Sequence, residues 1–95
     1  MSGRQATSEV SHLTALADVL GSLSLGTQVE DGGEPKLIVT NPQVPQLSES
    51  ITVAADADGV RQYWWSWGKP IAPVANRHAV AMRIKYVLTP KKNLQ

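Results

Sequence analysis

Residues that could support catalysis or metal binding are few and widely spaced in this 95-residue chain. Its two histidines, His12 and His78, belong to no HxxxH or HExxH motif that would bind a metal ion. No serine lies in a GxSxG elbow, and Asp56 and Asp58 are typical of a turn rather than of an acid and base pair. Cysteine is absent, which excludes disulfides, thiolate zinc sites and cysteine nucleophiles. We therefore predict a non-enzymatic protein that uses neither a metal ion nor another cofactor.

The segment YWWSWGKP, residues 63–70, contains all three tryptophans of the chain. Large aromatic side chains fill protein cores, and they also serve as anchors at protein interfaces. Which role each tryptophan takes depends on the face of the strand from which it projects. The elements around the segment therefore have to be worked out first.

A hairpin at DADG sets the direction of the tryptophans. Asp56 to Gly59 suit a type I turn closed by a glycine in the left-handed region, which pairs position 53 with 63 and position 51 with 65. In this register Trp64 shares the outer face with Thr52, and the core face carries Ile51, Val53, Tyr63, Trp65 and Trp67. A two-residue turn at positions 58 and 59 would shift the pairing by one residue and exchange the core and outer faces of the second strand. We prefer the first register because a chain without phenylalanine needs its large side chains in the core.

The N-terminal third predicts a tail followed by a helix. Residues 1–7 are polar and small, and we expect a disordered tail there. A helix is predicted after Ser8 or Ser11 as N-cap, and Gly21 or Gly26 would end it. Its buried stripe is Leu13, Leu16, Ala17 and Leu20.

The C-terminal part predicts a second helix. Asn76 is its N-cap and Pro90 ends it, with a buried stripe of Val80, Ile84, Val87 and Leu88. A basic outer face would carry Arg77, Arg83 and Lys85. Residues 91–95 are expected to form a basic C-terminal tail.

Between the helices, the apolar run at 36–42 predicts a strand, whereas Pro42 and Pro45 favour an extended surface connector before the hairpin. The predicted fold class is α+β: a small antiparallel sheet of three to four strands, with both helices packed on one face. A single domain would cover residues 8–90. We predict a cytoplasmic protein, because the sequence has no signal-peptide run and no apolar stretch long enough for a membrane span.

Charge is distributed unevenly along the chain. Residues 1–60 contain two basic and eight acidic residues, whereas residues 61–95 contain seven basic residues and no acidic one. Such a division is typical either of a basic binding surface or of two halves that attract each other in the fold. We favour attraction between the halves, because they must pack together in so small a domain.

Two kinds of binding surface remain open. Trp64 beside Thr52 would form an apolar patch for a protein partner or a second copy of the chain, and we expect a homodimer. The alternative is a small ligand or single-stranded nucleic acid, bound by the aromatic strand with Arg61 and Lys69 and by Arg77, Arg83 and Lys85 of the last helix. We favour the protein contact, because the isoelectric point of about 8.1 is low for a dedicated nucleic-acid binder.

The segments VTNPQVPQLSESI, YWWSWGKPIAP and AVAMRIKYVL resemble a group of short uncharacterised actinobacterial proteins with a WSWG-x-PI segment. The resemblance covers about Lys36 to Leu88 and is most specific between Trp64 and Ile71. Genes of that group often lie beside those of helix-turn-helix regulators. The resemblance therefore implies an accessory protein of a transcriptional regulator, and it supplies no catalytic residues.

Overall fold

The computed structural model describes residues 2–90, with side chains from Ser8 onwards. The chain contains two helices and five strands. Their order along the sequence is α1 (Ser2–Ser22), β1 (Gly26–Glu30), β2 (Lys36–Asn41), β3 (Val44–Ala55), β4 (Arg61–Trp65), β5 (Pro70–Pro73) and α2 (Arg77–Val87). The strands form one antiparallel meander in which each strand pairs with the next along the chain. The α+β class is therefore confirmed, and the prediction of three to four strands is wrong.

The ends of the chain differ from the sequence-based boundaries in one respect. Because α1 begins at Ser2, the predicted helix start at Ser8 or Ser11 is wrong. The disorder expected for residues 1–7 stays a prediction, and the basic tail predicted for residues 91–95 lies outside the described residues.

The additional strands lie at the two edges of the sheet. β5 begins and ends with proline, which lacks the N–H group that a central strand needs on both sides. An edge strand has one row of hydrogen-bonding groups without a strand partner, so Pro70 and Pro73 are tolerated there. Composition alone indicates a loop at this position, and only the pairing with β4 makes it a strand.

The connector predicted around Pro42 and Pro45 is instead a β2–β3 hairpin. Asn41 pairs with Val44, and its Oδ1 accepts a hydrogen bond of 2.9 Å from the backbone N–H of Gln43. The register then shifts between Thr40 and Asn41, so that residues 45–47 have no partner on β2. This bulge places Pro45 where no ladder hydrogen bond is required of it.

Side chains from distant segments complete the ends of both helices. α1 ends at Ser22, and Ser24 rather than a glycine takes the left-handed conformation after it, with φ of 69°. Lys85 Nζ donates a hydrogen bond of 2.7 Å to the carbonyl oxygen of Leu23. A cation is favoured at this end of a helix because the carbonyl groups there carry partial negative charge.

α2 begins after Asn76 as predicted, but the Asn76 side chain makes no capping hydrogen bond. At the other end of α2, Asn41 Nδ2 donates a hydrogen bond of 2.8 Å to the carbonyl oxygen of Leu88. Asn41 thus shapes the β2–β3 hairpin and ties it to the last helix.

Replacing Asn41 with alanine is expected to lower the free energy of unfolding by about 1 to 3 kcal/mol, because two hydrogen bonds are lost together. Asn41→Asp keeps the acceptor for the Gln43 N–H but removes the donor to the Leu88 carbonyl. It should therefore lower the free energy of unfolding less than Asn41→Ala does, because only the hydrogen bond to the last helix is lost. Urea denaturation of both variants measures the difference. An unchanged midpoint for Asn41→Ala would show that this tie does not contribute to stability.

Buried side chains of both helices and of the strands belong to a single apolar cluster. The helices contribute Leu13, Leu16, Leu20, Val80, Ala81, Ile84 and Leu88, and the strands contribute Leu37, Val39, Ile51, Val53, Tyr63 and Ile71. The stripe predicted for α1 is confirmed at its three leucines. Val87 is 41% exposed, so its assignment to the core is wrong, and Ala81 takes a buried position in α2 instead.

The DADG hairpin has the predicted geometry. The Asp56 N–H donates to the carbonyl of Val60 and the Gly59 N–H donates to the carbonyl of Asp56, each at 2.9 Å, and Gly59 has φ of 82°. Asp56 Oδ1 also accepts from the backbone N–H of Val60 and of Asp58. The bond from Val60 is the main reason that the pKa of the Asp56 carboxyl is lowered. The turn therefore favours an ionised aspartate at this position.

Strand register follows from this turn. Val53 pairs with Tyr63 and Ile51 pairs with Trp65. The parity chosen from the sequence is confirmed, and Ile51, Val53 and Tyr63 are buried as expected.

Candidate functional site

Trp64 and Thr52 are directly opposite each other on β4 and β3, as the sequence predicts. Trp64 is half-buried, and its Nε1 donates a hydrogen bond of 2.9 Å to the carbonyl oxygen of Ala54. A shallow groove of about 640 Å³ beside it is lined mainly by small and polar residues. Trp64 is therefore held against its own sheet, and its proposed contact with a partner stays a prediction.

A second three-residue hairpin loop follows β4 directly. The Trp65 N–H donates to the carbonyl of Lys69 at 2.8 Å, the Gly68 N–H donates to the carbonyl of Trp65 at 3.1 Å, and Gly68 has φ of 84°. This is the hydrogen-bond pattern of the DADG turn. Because Trp67 lies inside this loop, its predicted place on the core face is wrong, and the side chain is 54% exposed.

The signal for this turn is present in the sequence. WSWGK repeats the spacing of DADGV, with a glycine three residues after the residue that opens the loop. Alternation of faces holds only while the strand continues, and β4 ends at Trp65. Reading the alternation through the turn produced the wrong direction for Trp67.

Trp65 and Trp67 form a stacked pair at the end of β4. Their ring centroids are 4.9 Å apart and the ring planes differ by 7°. Trp65 is half-buried and packs against the apolar core, whereas Trp67 lies on its outer side. The core thus continues to the protein surface through two indole rings.

An apolar surface joins this pair to α2. Trp65 lines a groove of about 430 Å³ together with Met82, Arg83, Tyr86 and Val87. Among the described residues, four of the five large hydrophobic side chains that are exposed belong to this area: Trp67, Met82, Tyr86 and Val87. We refer to Trp65, Trp67, Met82, Arg83, Tyr86 and Val87 as the aromatic–helix surface.

Charge on the aromatic–helix surface is positive. Arg83 is exposed among the apolar side chains, and Lys69 is exposed two residues after Trp67. No acidic residue occurs after Asp58 anywhere in the sequence. The surface therefore suits a ligand that combines apolar groups with negative charge.

The other predicted basic residues lie elsewhere. Arg61 Nη1 donates a hydrogen bond of 3.0 Å to Ser8 Oγ of α1, and Lys85 is held at the end of α1 by Leu23. Arg77, at the start of α2, lies beside Tyr63. Of the five basic residues assigned to a binding surface, only Arg83 lines the apolar groove.

The expected attraction between the acidic and basic halves is not expressed as ion pairs. Between residues 8 and 90, no carboxylate lies within ion-pair distance of a lysine, arginine or histidine side chain. Arg61 and Lys85 bind neutral oxygen atoms instead.

The described residues contain neither a metal-binding cluster nor a helix suited to a membrane. In the part of the chain that the structure describes, no three His, Asp or Glu side chains are grouped so that they could hold a metal ion. Over the same residues, neither helix has both the length and the apolar character needed to cross a membrane.

The sequence matches no protein-family model, and neither a curated protein nor a solved structure shows significant similarity to it. Function therefore has to be inferred from the geometry and chemistry of the chain's own residues.

Proposed function

We propose that this protein is a non-enzymatic interaction module that binds an acidic, amphipathic segment of a partner protein on the aromatic–helix surface. The observation that supports the proposal is the groove that Met82, Tyr86 and Val87 form around Arg83 and Trp65, with exposed Trp67 stacked on Trp65. Contiguous apolar patches of this kind are uncommon on monomers and are typical of interaction sites. The resemblance of the WSWG segment suggests a helix-turn-helix transcriptional regulator as the partner.

The charge of the surface favours a different protein over a second copy of the chain. A two-fold symmetric dimer would place the same positive surface, with its Arg83, on both sides of the contact. Like charges brought together at an interface oppose association. The homodimer expected from the sequence is therefore the competing occupant of this surface.

The proposal takes both helices to cover the same face of the sheet. Their buried residues belong to one cluster with strand residues of alternating position, such as Leu37, Val39, Ile51 and Val53. In this arrangement the half-buried Trp64 lies on the opposite face. The aromatic–helix surface is then the place where the covered face meets solvent.

Photo-crosslinking tests the proposal directly. A photoreactive phenylalanine analogue at Met82, which is 57% exposed, should capture a partner protein in cells, and Arg83→Glu should abolish capture by reversing the charge. Val60 is the matched control, because it is 44% exposed and lies in the DADG hairpin outside the surface. Crosslinks from position 82 only to a second copy would assign the surface to a homodimer. Equal capture from positions 60 and 82 would contradict a specific site.

Single-stranded nucleic acid is the alternative ligand for the same surface, since exposed Trp67 could stack on a base beside Lys69 and Arg83. This ligand is less favoured than a protein segment, because Arg61, Arg77 and Lys85 lie in other parts of the molecule. Its test is a titration with oligothymidylate at several salt concentrations. Affinity that falls steeply as salt rises would support nucleic-acid binding, and no binding at low salt would remove it.

A further inference from the structure

A polar corner lies where the side of α1 that carries Ser8 and His12 meets the beginnings of β4 and α2. Tyr63 is fully buried, and its hydroxyl donates a hydrogen bond of 2.7 Å to the carbonyl oxygen of His12. Arg61 donates to Ser8 Oγ at 3.0 Å. Arg77 stands beside Tyr63, close enough to oppose the rise that burial causes in the pKa of the Tyr63 hydroxyl.

Three groups that can carry positive charge converge in this corner. The pKa of His12 is lowered first by burial and then by the charges of Arg61 and Arg77. The two guanidinium groups therefore act on the same imidazole from different elements, β4 and α2. Ser8 and His12 are four residues apart on α1, so they lie on the same side of that helix.

Within the described part of the chain, no carboxylate forms an ion pair with these groups. All eight side-chain carboxylates of the chain lie between Glu9 and Asp58, and none is within ion-pair distance of Arg61, Arg77 or His12. Arg77 Nε is also enclosed and has no hydrogen-bond partner within the protein. A partly buried guanidinium group whose donors are not all satisfied is destabilising unless an acceptor reaches it.

We propose that the corner formed by Ser8, His12, Arg61 and Arg77 binds a small oxyanion, and that a phosphate monoester is the class of ligand it fits best. Two guanidinium forks offer paired N–H donors that match phosphate oxygens, and they can bind in the bidentate mode. On the side of α1, the His12 imidazole and the Ser8 hydroxyl add further hydrogen-bond donors. The site is separate from the aromatic–helix surface, and neither proposal depends on the other.

A single oxyanion suits the corner better than a phosphodiester chain. Binding along a nucleic-acid backbone requires positive groups spaced over several phosphates. Arg61 is the first residue of β4, whereas Lys69 follows the other end of that strand. Lys85 is held at the end of α1, and Arg83 belongs to the apolar groove. Among the described basic residues, Lys69, Lys85 and Arg83 are therefore separate from the cationic groups of the corner.

Phosphate titration of the full chain, followed by NMR of the His12 imidazole, tests the site. At constant ionic strength set with sodium chloride, phosphate should shift the His12 signals with a dissociation constant of about 1 mM and raise the pKa of His12, because the bound anion favours imidazolium. Arg77→Gln should weaken binding about tenfold or more, since one charged pair is removed. Lys36→Gln is the control, because Lys36 is an exposed cation outside both proposed sites, and it should leave the affinity unchanged.

A second variant and two other ligands separate the possible outcomes of this titration. Arg77→Lys keeps the charge and serves if Arg77→Gln does not fold, and it should retain part of the affinity. Acetate should bind more weakly than phosphate, which offers more acceptor oxygens. An unchanged His12 pKa at saturating phosphate, or equal shifts in wild type and Arg77→Gln, would overturn the proposal. Oligothymidylate that binds the corner much more tightly than phosphate would overturn the small-ligand assignment.

Discussion

Replacing Tyr63 with alanine is expected to lower the free energy of unfolding by about 3 to 5 kcal/mol, as is usual when a buried aromatic ring is deleted. Tyr63 is 0% exposed and is the largest fully buried side chain among the described residues. Small domains have a total stability of only about 5 to 15 kcal/mol, so this single change removes much of it. Urea or thermal denaturation followed by circular dichroism measures the loss.

Two variants separate the ring from the hydroxyl. Tyr63→Phe keeps the packing but removes the hydrogen bond from the hydroxyl to the carbonyl of His12, so a loss of about 1 kcal/mol is expected. Tyr86→Ala is the matched control, because Tyr86 is 68% exposed and a surface change costs about 0.5 kcal/mol or less. A larger loss for Tyr86→Ala than for Tyr63→Ala would contradict the assignment of the core.

The buried hydroxyl also predicts a dependence of stability on pH. Burial raises the pKa of Tyr63 above its usual 10.0, so the folded state holds this proton more tightly than the unfolded state. The stabilisation is complete below pH 10.0 and is lost as the pH rises through the folded pKa. Tyr63→Phe should remove this part of the alkaline dependence.

Replacing Trp67 with alanine is expected to weaken partner binding by about 2 kcal/mol or more, which is about 30-fold in the dissociation constant. An exposed indole beside a groove is a typical hot-spot residue, and Trp67 is 54% exposed. The fold should lose only about 0.5 to 1.5 kcal/mol, the usual contribution of one aromatic stack. Calorimetric titration with the partner recovered by crosslinking gives the affinity.

Val60→Ala and Trp64→Ala are the comparisons for this result. Val60 is an exposed apolar residue away from the aromatic–helix surface, so its removal should leave affinity unchanged. Trp64 is tied to Ala54, so its removal should affect stability more than binding. Lost binding with Trp64→Ala and normal binding with Trp67→Ala would instead place the contact on the opposite face of the sheet.

Local rules were sufficient for the central hairpin. The order of residues in DADG selected one turn type, and the turn fixed the pairing of Val53 with Tyr63. The stripe of leucines in α1 was also visible, because the spacing of apolar residues in a helix is set by its geometry. These features depend on residues close together in the sequence.

The errors had two sources, a local turn that was overlooked and packing by distant residues. Trp67 leaves the strand because Gly68 closes a second turn, and alternation beyond Trp65 no longer applies. Val87 satisfies helical spacing, yet it is exposed because the packing of α2 buries Ala81 in its place. β5 becomes a strand only by pairing with β4 at an edge where prolines are tolerated.

The sequence by itself determined the α+β class, the DADG register and the absence of cysteine chemistry, since each follows from composition or from interactions over a few residues. Only the tertiary structure decided which aromatic residues reach solvent and which basic residues come together. Arg61 and Arg77 are sixteen positions apart, and both act on His12 of the first helix. Such neighbours are brought together by packing of whole elements, and no local pattern records that packing.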